Sequence, residues 1–131
     1  MSKRILLVDD HEVVRAGMAS LLQTSWTICG EAGNGLEAID KVMELKPDLV
    51  LLDLRMPVMG GTEAAREIRR LAPRTKIVFV SMYESESVAK LARLAGADAC
   101  LSKSCASADL HTAIAAVLRE PGDPLRLLDA T

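Results

Sequence analysis

The stretch LVLLDLRMPVMGG, Leu49 to Gly61, decides the fold class. Leu49 to Leu52 form an apolar run short enough for a strand buried on both faces, and the run stops on Asp53. Pro57 cannot continue a ladder, and Gly60 and Gly61 open a loop before helical periodicity resumes at Thr62. A carboxylate is thereby set at a strand's mouth. Taken alone, such an aspartate is an ordinary solvated strand end, so its meaning depends on what the other strands deliver beside it.

Working outward, the same pattern of apolar run, polar stop and periodic segment recurs. Arg4 to Val8 is a strand stopped by Asp9 and Asp10, and Val13, Val14, Gly17, Met18, Leu21 and Leu22 then stripe a helix with Arg15, Ser20 and Gln23 on its other face. Thr27 to Ala32 is a weaker strand. Gly33 to Gly35 turn the chain into a helix striped by Leu36, Ile39, Val42 and Met43, which Pro47 stops. After the central strand, Thr62 is placed to cap a helix with Ala65, Ile68, Leu71 and Ala72 inward and Arg66, Glu67, Arg69 and Arg70 outward. Lys76 to Val80 is a fourth strand ending at Ser81. Ser85 is placed to cap a helix burying Val88, Leu91, Ala92 and Ala95, which Gly96 ends in the left-handed conformation. Asp98 to Leu101 is a short fifth strand followed by Lys103, and Leu110, Ala113, Ile114, Val117 and Leu118 stripe a last helix. Five strands alternating with five helices predict an α/β fold with a parallel sheet covered on both faces.

Residues 1–119 make one domain. Residues 120–131, beginning Glu-Pro-Gly-Asp-Pro, have linker composition and read either as a frayed tail or as a connector to a further domain. At 131 residues with half of them hydrophobic, the chain has room for one core and no second folded domain. Sixteen basic against 18 acidic residues leave a net charge of −2, which gives no electrostatic reason for direct binding to nucleic acid or an anionic membrane. Three cysteines, Cys29, Cys100 and Cys105, without CxxC spacing exclude a disulfide framework or zinc site and read as reduced, mostly buried thiols. No apolar run approaches a membrane span and no secretory signal opens the chain, so the expected compartment is the cytoplasm.

In a parallel sheet, polar residues at the carboxyl ends of the strands converge near the point where strand order reverses. That rule gathers Asp9, Asp10, Asp53, Ser81 and Lys103. Carboxylates so close raise one another's pKa unless a cation joins them, and an all-oxygen set suits Mg²⁺ with phosphate oxygens as further ligands. One carboxylate can then act as nucleophile toward a phosphoryl group, with metal, hydroxyl and ammonium stabilising the equatorial oxygens. Asp9 and Asp10 also have a simpler role as helix caps, and Asp10 is expected to serve both ways. His11 is read as a helix-start residue.

On these residues the chain resembles the response-regulator receiver domains of two-component signalling. The matching motifs are LLVDDH at Leu6 to His11, LLDLRMPVMGG at Leu51 to Gly61, VFVSM at Val78 to Met82 and GADACLSK at Gly96 to Lys103. The resemblance implies a flavodoxin-like (βα)5 fold and Asp53 as acceptor of phosphate from a sensor histidine kinase. It implies Mg²⁺ held by Asp10, Asp53 and the backbone carbonyl of Arg55, with Asp9 as second acidic member. Ser81 and Lys103 would be the hydroxyl and ammonium partners of the phosphoryl oxygens. The segment LLVDDHEVVRAGMASLL is similar to the NarL/FixJ group, whose members typically carry a carboxyl-terminal LuxR-type helix-turn-helix. Transcription control through such a domain, outside this chain, is therefore the expected output, with homodimer formation on phosphorylation. The alternative is a stand-alone receiver that acts by docking.

The family often has an aromatic residue three positions before the lysine, where Cys100 stands, and a proline after it, where Ser104 stands. A switch surface of Tyr83, Val88, Leu91 and Cys100 is expected to work without an aromatic gate. Tyr83 and Arg55 are each either surface residues or shields of the phosphoryl group. Two other functions fit less well. A phosphatase of the haloacid type needs a second aspartate two residues after the nucleophile, where Arg55 stands, so the chain is expected not to be an enzyme. A dinucleotide module needs GxGxxG after the first strand, where two acids stand.

Overall fold

The computed structural model describes residues 3–82, 86–103 and 107–119, and of residues 86, 88 and 107 the backbone alone. Strands β1 (Arg4–Val8), β2 (Thr27–Ala32), β3 (Leu49–Asp53), β4 (Lys76–Ser81) and β5 (Ala99–Ser102) alternate with helices α1 (Glu12–Leu22), α2 (Gly35–Leu45), α3 (Gly61–Leu71), α4 (Glu86–Leu94) and α5 (Ser107–Leu118). All pairings are parallel, in the order β2-β1-β3-β4-β5. The chain leaves β1 for β2 on one side and returns to place β3 on the other, so the strand order reverses between β1 and β3.

β3 is central and buried at all five positions, as expected for a strand covered on both faces. On one face Leu6, Val50, Leu52, Ile77 and Phe79 pack under α2, α3 and α4 through Ala38, Val42, Ala64, Ala65, Ile68 and Ala92, with Ala95 just beyond the end of α4. On the other, Ile5, Leu7, Leu49, Leu51, Val78 and Val80 pack under α1 and α5 through Leu22, Leu110 and Ile114. With Phe79 as the largest side chain, this core is aliphatic.

Several local expectations are corrected. In α1 only Leu22 is buried, while Val13 and Leu21 are exposed, at 85% and 47%, as is Gly17. The face turned to the sheet carries Met18 and Ala19, and Arg15 is half-buried beside it. In α2, Leu36 and Met43 are exposed and Ala38 takes their place, because the helix lies close to the β3–α3 loop: Gly35 donates its N–H to the Met59 carbonyl at 3.0 Å. A Cβ at Gly35 would fall 2.6 Å from that oxygen. Asn34, rather than serving only as a turn residue, caps α2 by accepting the Glu37 N–H at 2.9 Å. Gly60, not Thr62, is the N-cap of α3, and Gly61 begins the helix, its N–H held by the Leu54 carbonyl at 2.9 Å.

Arg69, expected on the outer face of α3, instead ties α3 to the α4–β5 turn. Its guanidinium donates to the Gly96 carbonyl at 2.6 Å, to the Pro73 and Thr75 carbonyls at 3.1 Å and to Asp98 at 2.8 Å. Asp98 lies just before β5 rather than in it, and its carboxylate also accepts the Ile77 N–H. Gly96 has the expected left-handed conformation, with φ +90°. Leu91 is exposed at 48%, whereas Ala92 and Ala95 are buried as expected. Cys29 and Cys100 are free and half-buried rather than buried, and burial pushes both thiols up. Ser85, Cys105 and residues 120–131, with the expectations placed on them, lie outside the described residues.

Candidate functional site

β1 runs directly into Asp9 and Asp10, β3 ends in Asp53, β4 in Ser81, and Lys103 follows β5. Because β1 and β3 are neighbours and β4 lies beside β3, these ends meet at one edge. Asp9, Asp53 and Ser81 are buried, at 2%, 5% and 3% exposure, while Asp10 lies at the open rim.

Each group is held by its backbone. Asp9 donates its N–H to the Ala32 carbonyl at 3.1 Å, and its Oδ1 accepts the His11 N–H at 2.8 Å, the bond by which an aspartate turns a chain into a helix. Its carbonyl accepts from Arg15, whose Nε also donates to Glu31 at 3.0 Å. Lys103 is fixed to the end of β4 by its N–H on the Ser81 carbonyl at 2.7 Å. Its ammonium reaches Asp9 Oδ2 at 2.8 Å and Asp53 Oδ1 at 3.4 Å. Asp53 rests on the loop behind it: at Gly61 a Cβ would fall 2.3 Å from the Asp53 carbonyl oxygen, so only glycine lets α3 start this close.

Burial and the neighbouring Asp9 charge push the Asp53 carboxyl up to about 6, although Lys103 and the Arg55 N–H both favour its ionised form. At Lys103, burial disfavours the ammonium. The Asp9 hydrogen bond and the charges of Asp53 and Asp9 outweigh that effect, and its pKa is raised. The pocket therefore keeps a cation beside two carboxylates, one of which is close to taking up a proton at neutral pH.

Ligand atoms of Asp9, Asp10, His11 and Asp53 lie within 4.8 Å of one another. Two buried carboxylates and a third at the rim, with the Asp53 pKa raised, are the donor set and charge excess that a hard divalent cation relieves. Asp10 is not the N-cap of α1: His11 is, its own side chain makes no capping bond, and the side chain at this helix start is that of Asp9, which accepts the His11 N–H. His11 is thus the helix-start residue expected, and the structure adds that its ring joins the acidic cluster. Sequence reasoning missed this, and also missed Arg15 on the Asp9 carbonyl. The signal available was the four-residue step from His11 to Arg15, which puts both at the start of one helix face.

Among the residues of the expected switch surface, Leu91 is exposed and Cys100 half-buried on β5, packed against the α2–α4 side of the core. Cys100 lines a cleft of about 270 Å³ with Ala89, Ala92 and Arg93. Tyr83 and the Val88 side chain lie outside the described residues. The Arg55 side chain is exposed.

Residues 5–115 match the response regulator receiver domain family. Response regulator protein VraR of Staphylococcus saprophyticus is 39% identical over 116 residues, covering 87% of this chain and 56% of the relative. The chain thus spans little more than half the length of that protein. Among solved structures, a LuxR-family two-component response regulator from Aurantimonas sp. SI85-9A1 superposes with a TM-score of 0.86 at 35% identity, covering 98% of this chain and 94% of the other. A LuxR-family DNA-binding response regulator from Staphylococcus aureus superposes with a TM-score of 0.84 at 26% identity, over 89% of this chain and 99% of the other. Matched over most of its length and carrying its polar groups at the strand ends the fold provides, the chain belongs to the response regulator receiver domains of two-component systems.

Proposed function

We propose that Asp53 is the phosphoacceptor of this receiver and takes its phosphoryl group from a phosphohistidine of a sensor kinase. The observation that carries this reading is the position of Lys103, whose ammonium reaches two buried carboxylates at once. In the transfer an Asp53 carboxylate oxygen forms the O–P bond as the P–N bond breaks, and the released imidazole nitrogen stays with the kinase. Above pH 6 Asp53 is mainly ionised, the form that can attack. The Ser81 hydroxyl and the Lys103 ammonium then stabilise the phosphoryl oxygens, for which Lys103 gives up its closer contact with Asp9. Asp9, Asp10, Asp53 and the backbone carbonyl of Arg55 would hold Mg²⁺, which when bound offsets the negative charge gathered on carboxylate and phosphate.

The new charge shifts a population toward a form that α4, β5 and α5 expose differently, with Tyr83, Val88, Leu91 and Cys100 on the responding surface. The LuxR-family solved structures, and the 56% of VraR that this chain spans, support an output domain that binds DNA; in this reading it is joined through residues 120–131, works in the cytoplasm and pairs as a homodimer on phosphorylation. The domain then acts as a switch rather than as an enzyme. No helix among the described residues is long and apolar enough to cross a membrane.

The test is exposure to a small phosphodonor with Mg²⁺, read by intact mass. One phosphoryl group should add to the native chain and none to Asp53→Asn. Undiminished labelling of the variant would reject Asp53 as acceptor.

A further inference from the structure

His11 has a side chain that is 67% exposed, yet one of its ring nitrogens, Nδ1, lies against the acidic pocket. Nδ1 lies 3.1 Å from Asp10 Oδ1 and 3.3 Å from Asp9 Oδ1. These separations are long for charge-assisted hydrogen bonds, which run about 2.7–2.9 Å. They are close to the distance of about 3.0 Å between adjacent ligands of an octahedral ion whose metal–ligand bonds are about 2.1 Å. The main chain beneath the ring is anchored: the His11 N–H is held by Asp9 Oδ1 at 2.8 Å, and the residue is the N-cap of α1, with φ −97° and ψ 108°. One bond thus sets the His11 main chain beside the Asp9 carboxylate, within reach of the acidic cluster.

We propose that His11 Nδ1 is a nitrogen ligand, or an immediate outer partner, of the cation at this site and so biases its choice of metal. The inference rests on the reading of the acidic cluster as a divalent-cation site. Carboxylates and carbonyls alone favour Mg²⁺, whereas imidazole suits the first-row transition ions, whose affinity for nitrogen rises from Mn²⁺ toward Zn²⁺. With Asp9, Asp10, Asp53 and His11 within 4.8 Å of one another, the pocket offers three carboxylates and one imidazole. Its preference for Mn²⁺ or Co²⁺ over Mg²⁺ is then larger than three carboxylates would give. Metal choice in turn sets which ion accompanies Asp53 during phosphoryl transfer.

The test is metal binding by the native chain, His11→Ala and His11→Gln, with Asp10→Asn as a control for the site itself. Affinities for Mg²⁺, Mn²⁺ and Co²⁺ are measured by calorimetry, and bound Mn²⁺ is examined by electron spin echo for modulation from a ¹⁴N nucleus. The native chain is expected to show ¹⁴N modulation and a Mn²⁺-to-Mg²⁺ affinity ratio about tenfold above that of either His11 variant, both variants still binding Mg²⁺. Native Mn²⁺ binding without ¹⁴N modulation, and with a ratio unchanged by either substitution, overturns the role of His11 and leaves the cation site standing. Failure of the native chain to bind any of the three ions, or undiminished binding by Asp10→Asn, overturns the site and the role of His11 with it. Because the ring is exposed, circular dichroism of the variants should match the native chain.

Discussion

Lys103 Nζ lies 2.8 Å from Asp9 Oδ2, nearer to that carboxylate than to the proposed acceptor. Before phosphorylation the ammonium therefore serves mainly to neutralise Asp9, and Asp53, 3.4 Å away, is left with part of its charge uncompensated. A further cation in the pocket would relieve that imbalance.

Removing the ammonium should expose the repulsion. In Lys103→Met the Asp53 carboxyl is expected to titrate above its native value of about 6, since burial and Asp9 raise it and Lys103 holds it down. Carboxyl ¹³C shifts followed against pH in metal-free buffer measure this. Phosphorylation by a small donor should slow by more than about tenfold, as expected for loss of one charge aimed at the phosphoryl oxygens. A titration at or below the native value would contradict the geometry.

Asp53 should cost the fold stability when ionised. Its carboxyl is raised to about 6 in the folded chain, so the folded state binds the extra proton, and this group's contribution is full at acid pH and lost as pH rises through 6. Asp53→Asn should accordingly stabilise the metal-free protein at pH 8 by about 1–3 kcal/mol, the lost Lys103 contact taking back part of the gain. At pH 4 the gain should vanish. Urea unfolding in chelator at the two pH values decides it, and a gain independent of pH would rule out this origin.

Three glycines should respond to alanine in different ways. Gly61→Ala drives a Cβ to 2.3 Å from the Asp53 carbonyl and Gly35→Ala to 2.6 Å from that of Met59, backbone atoms that cannot rotate away. Each should cost about 2–3 kcal/mol, the upper range for overpacking. Gly17, on the exposed face of α1 with nothing within 4 Å, should gain about 0.5–1 kcal/mol from the same change. Denaturation midpoints of the three variants give the comparison.

Arg69→Met should cost about 2 kcal/mol or more, because it leaves the Gly96 and Thr75 carbonyls without their guanidinium donor and Asp98 without its ion pair. Hydrogen exchange should accelerate first at the α4–β5 turn. Exchange unchanged there would mean that the guanidinium does not hold the turn.

Cys100→Tyr, which places an aromatic ring beside the cleft lined by Ala89, Ala92 and Arg93, should change partner affinity more than the rate of phosphorylation. The residue lies on β5 away from the carboxylates, so the chemistry of Asp53 should be little altered. Equal effects on both measurements would argue against a switch role for this surface.

The alternation of strands and helices and the composition of the site were legible in the sequence because both depend on local features. Short apolar runs stopped by Asp9, Asp53 and Ser81 end strands wherever they occur, and parallel alternation brings such ends to one edge. Helix faces were less legible. Val13 and Leu21 fit an apolar stripe as well as Met18 and Leu22 do, and only the area the sheet offers to α1 chooses between them. Arg69 reads as an outward charge on α3 until the fold carries Gly96 and Asp98 under it, nearly thirty residues later in the chain.

The sequence by itself determined which groups stand at the strand ends of this chain, since the period and the stops of its apolar runs are local properties. The tertiary structure decided their mutual charge: that Lys103 favours Asp9, that Asp53 is raised to about 6, and that His11 turns onto the carboxylates. The first two relations arise from burial and from separations of a few ångströms between residues up to 94 positions apart, which no local pattern encodes.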